Sequence, residues 1–421
     1  MKAKRPATDV KIVLIAALIC TVSHAADVRI GKDGVLRFNG KPAFPIGFTT
    51  FPAVDAKAPS GGNAYVELAK MGTVFNRCGT VGKWNAEAEA KLDAMLAEAA
   101  RSGVFCAIYI PELAVIAPGE ASKETELRRV VSKYRSMPAV AFWKGADEPE
   151  WGKVPPEHLR RFYEIVHELD PNHPVWLTQA PRGTIESLTR YRPMYDIGAV
   201  DVYPVSYPPG THSDLPNKNL SVVGDYAKRV AEAGGPDKPL WMVLQICWSG
   251  VHKPGKTLRF PTFAEERYMS YQSVIEGARG LLYFGGDVPG CWNDTDRSLG
   301  WNWSFYNRVL KPVLTEFGPT SPLYPALIAP DSKLAVHVSG ASDLEFRIRE
   351  SGNYVFVLAA KREGETGQVT FSGLPAELTT GAVLFEEPRK VTAQAGSFTD
   401  WFGPNEVHVY RFARSDVDRP K

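Results

Sequence analysis

Ten consecutive residues, Phe142-Trp143-Lys144-Gly145-Ala146-Asp147-Glu148-Pro149-Glu150-Trp151, carry the densest chemistry in the sequence. An apolar run leads straight into adjacent acids and is then broken by proline. Two carboxylates held that close repel each other, so one keeps its proton to higher pH and can serve as a general acid. Glu148 is the candidate proton donor and Asp147 its charged neighbour, with Trp143 and Trp151 as rings beside them. Other polar residues end apolar stretches in the same way: Asn76 and Arg77, Tyr109 and Glu112, Gln179, Asp201 and Tyr203, and Gln245. Trp248 and Trp292 follow two further stretches. His212 and His252 stand alone, without metal-ligand spacing, so no metal site is expected.

These residues can meet only if the stretches that carry them are neighbouring strands. Apolar segments near Ala43–Thr49, Thr73–Cys78, Val104–Pro111, Ala139–Asp147, Val175–Gln179, Ile197–Tyr203, Leu240–Gln245 and Gly280–Phe284 read as eight strands. Helical patterns lie between them. In Asn85–Ser102, Leu92, Met95, Leu96 and Ala99 recur at helical spacing and Gly103 offers a C-cap. Thr262-Phe263-Ala264-Glu265 is a capping-box pattern. Eight strand–helix repeats over roughly 280 residues match a (β/α)8 barrel, whose chemistry gathers at the carboxyl ends of the strands. A doubly wound sheet would normally open on a glycine-rich turn, and Ile46-Gly47-Phe48-Thr49 is not one. After Pro330 the texture changes to short alternating strands split by Gly, Ser, Asn and Pro, as in a small β-sandwich. The expected organisation is therefore a leader over 1–25, a barrel with an N-terminal hairpin over 26–320, and a C-terminal sandwich over 331–415.

The leader follows from Lys2, Lys4, Arg5 and Lys11 ahead of the apolar run Ile12–Val22, with Ser23-His24-Ala25 before the cut. That run is too short to span a bilayer, so a secreted or periplasmic protein without membrane attachment is expected once the leader is removed. The whole chain has 49 Lys and Arg against 47 Asp and Glu, a balance that argues against a nucleic-acid partner. Cys20 leaves with the leader. Cys78, Cys106, Cys247 and Cys291 remain, and either free thiols or one or two disulfides suit them.

From these residues onward the chain resembles clan A glycoside hydrolases. Asn39-Gly40-Lys41-Pro42-Ala43-Phe44-Pro45-Ile46-Gly47 is similar to the start of many such barrels. The fourth-strand ending resembles their Asn-Glu-Pro acid/base motif, with Asp147 in place of Asn. Asp201-Val202-Tyr203-Pro204 is similar to a substrate-lining motif at the sixth strand, and Val407–Phe412 to the end of their accessory sandwich. The resemblance covers nearly all of the mature chain. It implies an exported hydrolase of glycosidic bonds with a carbohydrate substrate and no organic cofactor. Asn76, Tyr109, Gln179, Asp201, Tyr203, Gln245, Trp248 and Trp292 would then bind sugar, the rings by stacking on pyranose C–H groups.

One position departs from that pattern. Gln245 stands where the family's nucleophilic Glu ends the seventh strand, and an amide cannot form a glycosyl ester. Three readings are open. The substrate's own 2-acetamido group could attack, with Asp147 orienting it. A water could attack with inversion, activated by Asp201, Asp287 or Glu112. The barrel could also bind sugar without turnover.

Overall fold

The computed structural model describes residues 25–79, 82–207, 209, 213–246, 257–284, 303–385 and 389–414. Most of the leader, together with His212, Cys247, Trp248, His252, Asp287, Cys291 and Trp292, lies outside the described residues.

Eight parallel strands close into a barrel: β1 (Ile46–Phe48), β2 (Val74–Gly79), β3 (Phe105–Tyr109), β4 (Val140–Asp147), β5 (Val175–Gln179), β6 (Ile197–Val202), β7 (Leu240–Gln245) and β8 (Ala278–Phe284). Each pairs with its sequence neighbour, and β8 returns to β1. Helices cover the outside where the sequence pattern places them. The helix Ala86–Ser102 is capped by Asn85, whose side chain accepts from the Ala88 amide, and ends at Gly103 in the left-handed conformation, φ 72°. The helix Phe263–Ile275 opens on the Thr262–Glu265 capping box.

Aromatic rings fill the barrel's interior. Phe75, Phe142, Trp176 and Trp241 meet with ring centroids 5.0–5.9 Å apart. Glycines on β1 and β8 make room for them. A Cβ on Gly47 would lie 2.3 Å from the Phe75 ring, and one on Gly280 would lie 2.6 Å from Trp241 Nε1. The floor is closed by a three-stranded sheet, Val28–Ile30, Leu36–Phe38 and Lys41–Ala43, which adds Val28, Leu36, Phe38 and Ala43 to the same cluster. The hairpin pattern suggests the first two of these strands. The third, Lys-Pro-Ala, carries no strand signal and exists because Leu36–Phe38 pairs with it.

The C-terminal strands form a three-stranded sheet, His337–Ser339, Gly367–Ser372 and Phe398–Phe402, facing a five-stranded one. Val357, Phe371, Phe398, Tyr410 and Phe412 pack between them. Arg389–Thr392 and Phe398–Phe402 are strands that the alternation pattern overlooks. Asp400 sits mid-strand between Phe398 and Phe402 and reads as a break, yet it is held by Arg389, Tyr410 and His408. The opposite face of the five-stranded sheet contributes Phe356, Leu358 and Val409 to the core that runs under the barrel helices. No helix among the described residues is long and apolar enough to cross a membrane.

Candidate active site

Above the aromatic layer, the next inward residue on β2 to β6 is polar. Two residues after Phe75, Ala107, Phe142, Trp176 and Ala199 come Arg77, Tyr109, Lys144, Thr178 and Asp201. Strand alternation aims these at the carboxyl-end mouth.

Asp147 joins this ring because β4 is irregular. Lys144 pairs with Trp176 of β5, but Asp147 pairs with Thr178, so three residues of β4 advance against two of β5. Such a bulge flips the side-chain alternation. Lys144 and Asp147, which strict alternation would place on opposite faces, therefore both point inward. Lys144 Nζ lies 2.9 Å from Asp147 Oδ1, and Arg77 Nη1 lies 3.6 Å from Asp147 Oδ2. Lys144 is fully buried, with Nζ also donating to the Ala146 carbonyl at 3.1 Å and lying over the Trp176 and Tyr109 rings. Burial pulls the ammonium's pKa down while Asp147 opposes the shift. Burial pushes the Asp147 carboxyl up, but Lys144 and Arg77 more than offset it, and Asp147 is held below the usual carboxylate range. Its side chain keeps a path to solvent, 38% exposed.

Glu148 sits on a constrained backbone. Its φ of 47° is left-handed, uncommon for a non-glycine residue. The turn that imposes it is tied on both sides: the Glu148 amide donates to the Thr178 carbonyl at 2.8 Å, and the Gly152 amide donates to the Glu148 carbonyl at 2.9 Å. A hydrogen bond joins the Glu148 carboxyl to Asp201, which is buried at the end of β6. Burial raises the pKa of both acids, and the Asp147 charge adds to the rise. The contact between the two acts in opposite directions, raising Asp201 and lowering Glu148 against the larger effect of burial. Tyr203 bonds to Asp201 as well, and its ring stacks on Phe284 at 5.3 Å. The mouth thus separates its acids: Asp147 is held below the usual carboxylate range, while Glu148 and Asp201 are pushed above it.

Tyr109 and Tyr203 are brought to this cluster; Asn76, Gln179 and Gln245 are not. Asn76 shares the outward face of β2 with Val74 and Cys78, and its amide finds no partner among the described residues. Gln179 is on the outer face of β5, where Oε1 accepts from the Glu150 amide at 3.3 Å and steadies the turn after Glu148. Gln245 is spent on backbone: Oε1 accepts from Val205 N at 3.0 Å, while Nε2 donates to the Val205 and Arg259 carbonyls at 2.9 and 3.0 Å. It ties the chain after β6 to the segment that returns before the helix Phe263–Ile275. Trp143 is not at the mouth either, being buried outside β4 with Nε1 donating to Asp170 at 2.7 Å. Trp151, by contrast, is 59% exposed beyond the acids. Glu112 accepts from the Trp84 amide at 2.8 Å and is not joined to the acids. Trp248 and Trp292 fall outside the described residues.

Lys144 is the functional group that the sequence analysis overlooked. Within an apolar strand it reads as an isolated basic residue, and at three residues from Asp147 a regular strand would turn it to the other face, so its spacing gives no signal. No group of three or more His, Cys, Asp and Glu residues among the described residues could hold a metal ion.

No family model matches this chain, and no curated protein sequence does. Solved structures do match its fold. One described as a glycoside hydrolase aligns over 93% of this chain and 98% of its own, at 15% identity and a TM-score of 0.60. A glycoside hydrolase family 5 protein from Bacteroides vulgatus aligns over 93% and 94%, at 16% identity and a TM-score of 0.61. An alpha-amylase from Geobacillus thermoleovorans aligns over 91% and 99%, at 11% identity and a TM-score of 0.55. At such identities the likeness establishes the architecture: a (β/α)8 barrel followed by antiparallel sheets.

Proposed function

We propose that this protein hydrolyses glycosidic bonds, with Glu148 as the general acid. The observation that carries this reading is the division of the three mouth acids. Burial and the Asp147 charge push the pKa of Glu148 up, while Lys144 and Arg77 hold Asp147 below the usual carboxylate range. A proton donor beside a fixed anion is what cleavage of an acetal needs. The acid protonates the leaving oxygen, and the anion stabilises the positive charge that grows on the sugar.

The same geometry favours Asp147 as the second catalytic group. An inverting base stands roughly 6.5–9.5 Å from the acid to leave room for water. Asp201 touches Glu148 directly and leaves no such room. Glu112 is engaged with Trp84, and Asp287 lies outside the described residues. Asp147, anionic and open to solvent, can orient and charge-balance a substrate's 2-acetamido group as that group attacks. Exposed Trp151 supplies aromatic surface for a sugar ring.

A second reading, a barrel that binds glycan without turnover, draws support from Gln245, whose amide is committed to backbone and unable to act as a nucleophile. The test is a glycan panel followed by NMR of the product anomer, run on the wild type and on Glu148→Gln. Retention confined to 2-acetamido sugars supports the substrate-assisted route. Inversion reassigns the second group, and saturable binding with no product on any glycan supports the binding-only reading.

Export is part of the proposal. The cut expected after Ala25 precedes a residue that is itself packed: Ala26 is buried, and its carbonyl bonds His173 Nε2 at 2.6 Å.

A further inference from the structure

At the end of the barrel opposite the acids, a cavity of about 340 Å³ lies where the N-terminal hairpin, the starts of β7 and β8, and the segment leading to the C-terminal sheets converge. Three cations line it: Lys32, Lys238 and Arg279. Three carboxylates line it too, and each is already engaged. Asp33 is bound by both terminal nitrogens of Arg37, at 3.0 and 2.8 Å. Asp331 is paired with Arg347 at 2.6 Å and with Arg349. Glu276 faces Lys228 at 3.4 Å, and burial beside Glu345 pushes its pKa up to about 7, which thins its charge further.

The lining cations lack comparable partners. Arg279 is 8% exposed; Nη1 donates to the Ala329 carbonyl, Nη2 reaches Asp331 only at 3.5 Å, and Nε bonds nothing among the described residues. Behind it, Arg349 is 2% exposed, its Nε has no partner, and burial together with the neighbouring arginines pushes its pKa down to about 9. Three guanidiniums thus gather on one carboxylate, at the wall of an open cavity. Buried charge in such excess is costly unless a counter-charge arrives.

We propose that this cavity is a binding site for a small phosphate- or sulfate-bearing molecule, held by Arg279, Lys32 and Lys238. Arginine presents paired donors to tetrahedral oxyanions, and the lysines add point charges. The cavity equals roughly ten water volumes, enough for a sugar-sized body behind the anionic group. The site is independent of the acids at the mouth.

The test is calorimetric titration of the full chain with inorganic phosphate, sulfate and glucose 6-phosphate, chloride being exchanged to hold ionic strength constant. Saturable one-to-one binding is expected, weakened by about tenfold or more in the double variant Lys32→Met/Lys238→Met through loss of charge-assisted contacts. Those two side chains are not core residues, and an unchanged melting temperature in chloride confirms the fold of the variant. Binding by glucose 6-phosphate alone supports the proposal and assigns the rest of the cavity to the carbon skeleton. No saturable binding by any of the three up to about 10 mM, well above a millimolar Kd, overturns it. So does binding that survives the double variant but is lost in Arg77→Met, because the anion would then sit at the mouth.

Discussion

Lys144 and Asp147 face each other at 2.9 Å inside the barrel mouth because β4 bulges between them. In a regular strand, residues three apart point to opposite faces. The extra residue brings a buried ammonium beneath a solvent-facing carboxylate and fixes that carboxylate's charge. The neighbouring Glu148, without a cation in such contact, is shifted in the opposite direction.

Lys144→Met tests this division. The Lys144 charge lowers the pKa of Glu148 as well as that of Asp147, so its removal raises both. The basic limb of the pH–rate profile, which reports loss of the acid's proton, should move to higher pH. Turnover at the optimum should fall, and Lys144→Arg should restore part of it. A purely structural lysine would lower activity at all pH values without moving the limb.

Glu148→Gln removes the transferable proton while keeping the shape of the turn. Turnover on substrates with poor leaving groups should drop about 10²-fold or more, with much less loss on activated aryl glycosides. The melting temperature should change little or rise at neutral pH. Because burial raises the pKa of Glu148 in the fold, its contribution to stability is present below the ordinary carboxylate range and is lost as pH rises through the raised value. Asp147 has the opposite sign, its contribution being lost as pH falls through its lowered value.

Gln245→Glu does not create a nucleophile. Both Nε2 donors are replaced by an oxygen facing the Val205 and Arg259 carbonyls. Unfolding in urea should show a loss of about 2–4 kcal/mol, from broken buried hydrogen bonds and carboxylate burial. A variant of wild-type stability that forms an ester with a fluorosugar would reverse this assignment.

Cys78 and Cys106 are free, buried and in contact across β2 and β3, and burial drives the Cys78 pKa up. Neither should react with a thiol reagent in the native state, and both should label on unfolding. Fast native-state labelling of either would show that the barrel wall opens there.

The leader is checked by N-terminal sequencing of exported protein. A start at or next to Ala26, with recovery free of detergent, is the expected outcome. Membrane-bound material that retains residues 1–25 would overturn it.

What sequence alone determined about this protein is the order and kind of its elements. Alternation of apolar strands with capped helices is a local property, and β5 and β7 have the bounds the pattern assigns. The acids at the end of β4 were legible for the same reason, as an apolar run ending in charge and proline. Which way each polar residue points was not local. Asn76, Gln179 and Gln245 end strands just as Asp201 does, yet the first two face the helices and the third is bound to two backbone segments. Lys144 was hidden because its partner is set by the register between β4 and β5. The cationic cavity collects residues from Lys32 to Asp331, joined only by barrel closure and by the docking of the C-terminal sheets. Facing, register and charge balance depend on neighbours distant in the chain, so only the tertiary structure could decide them.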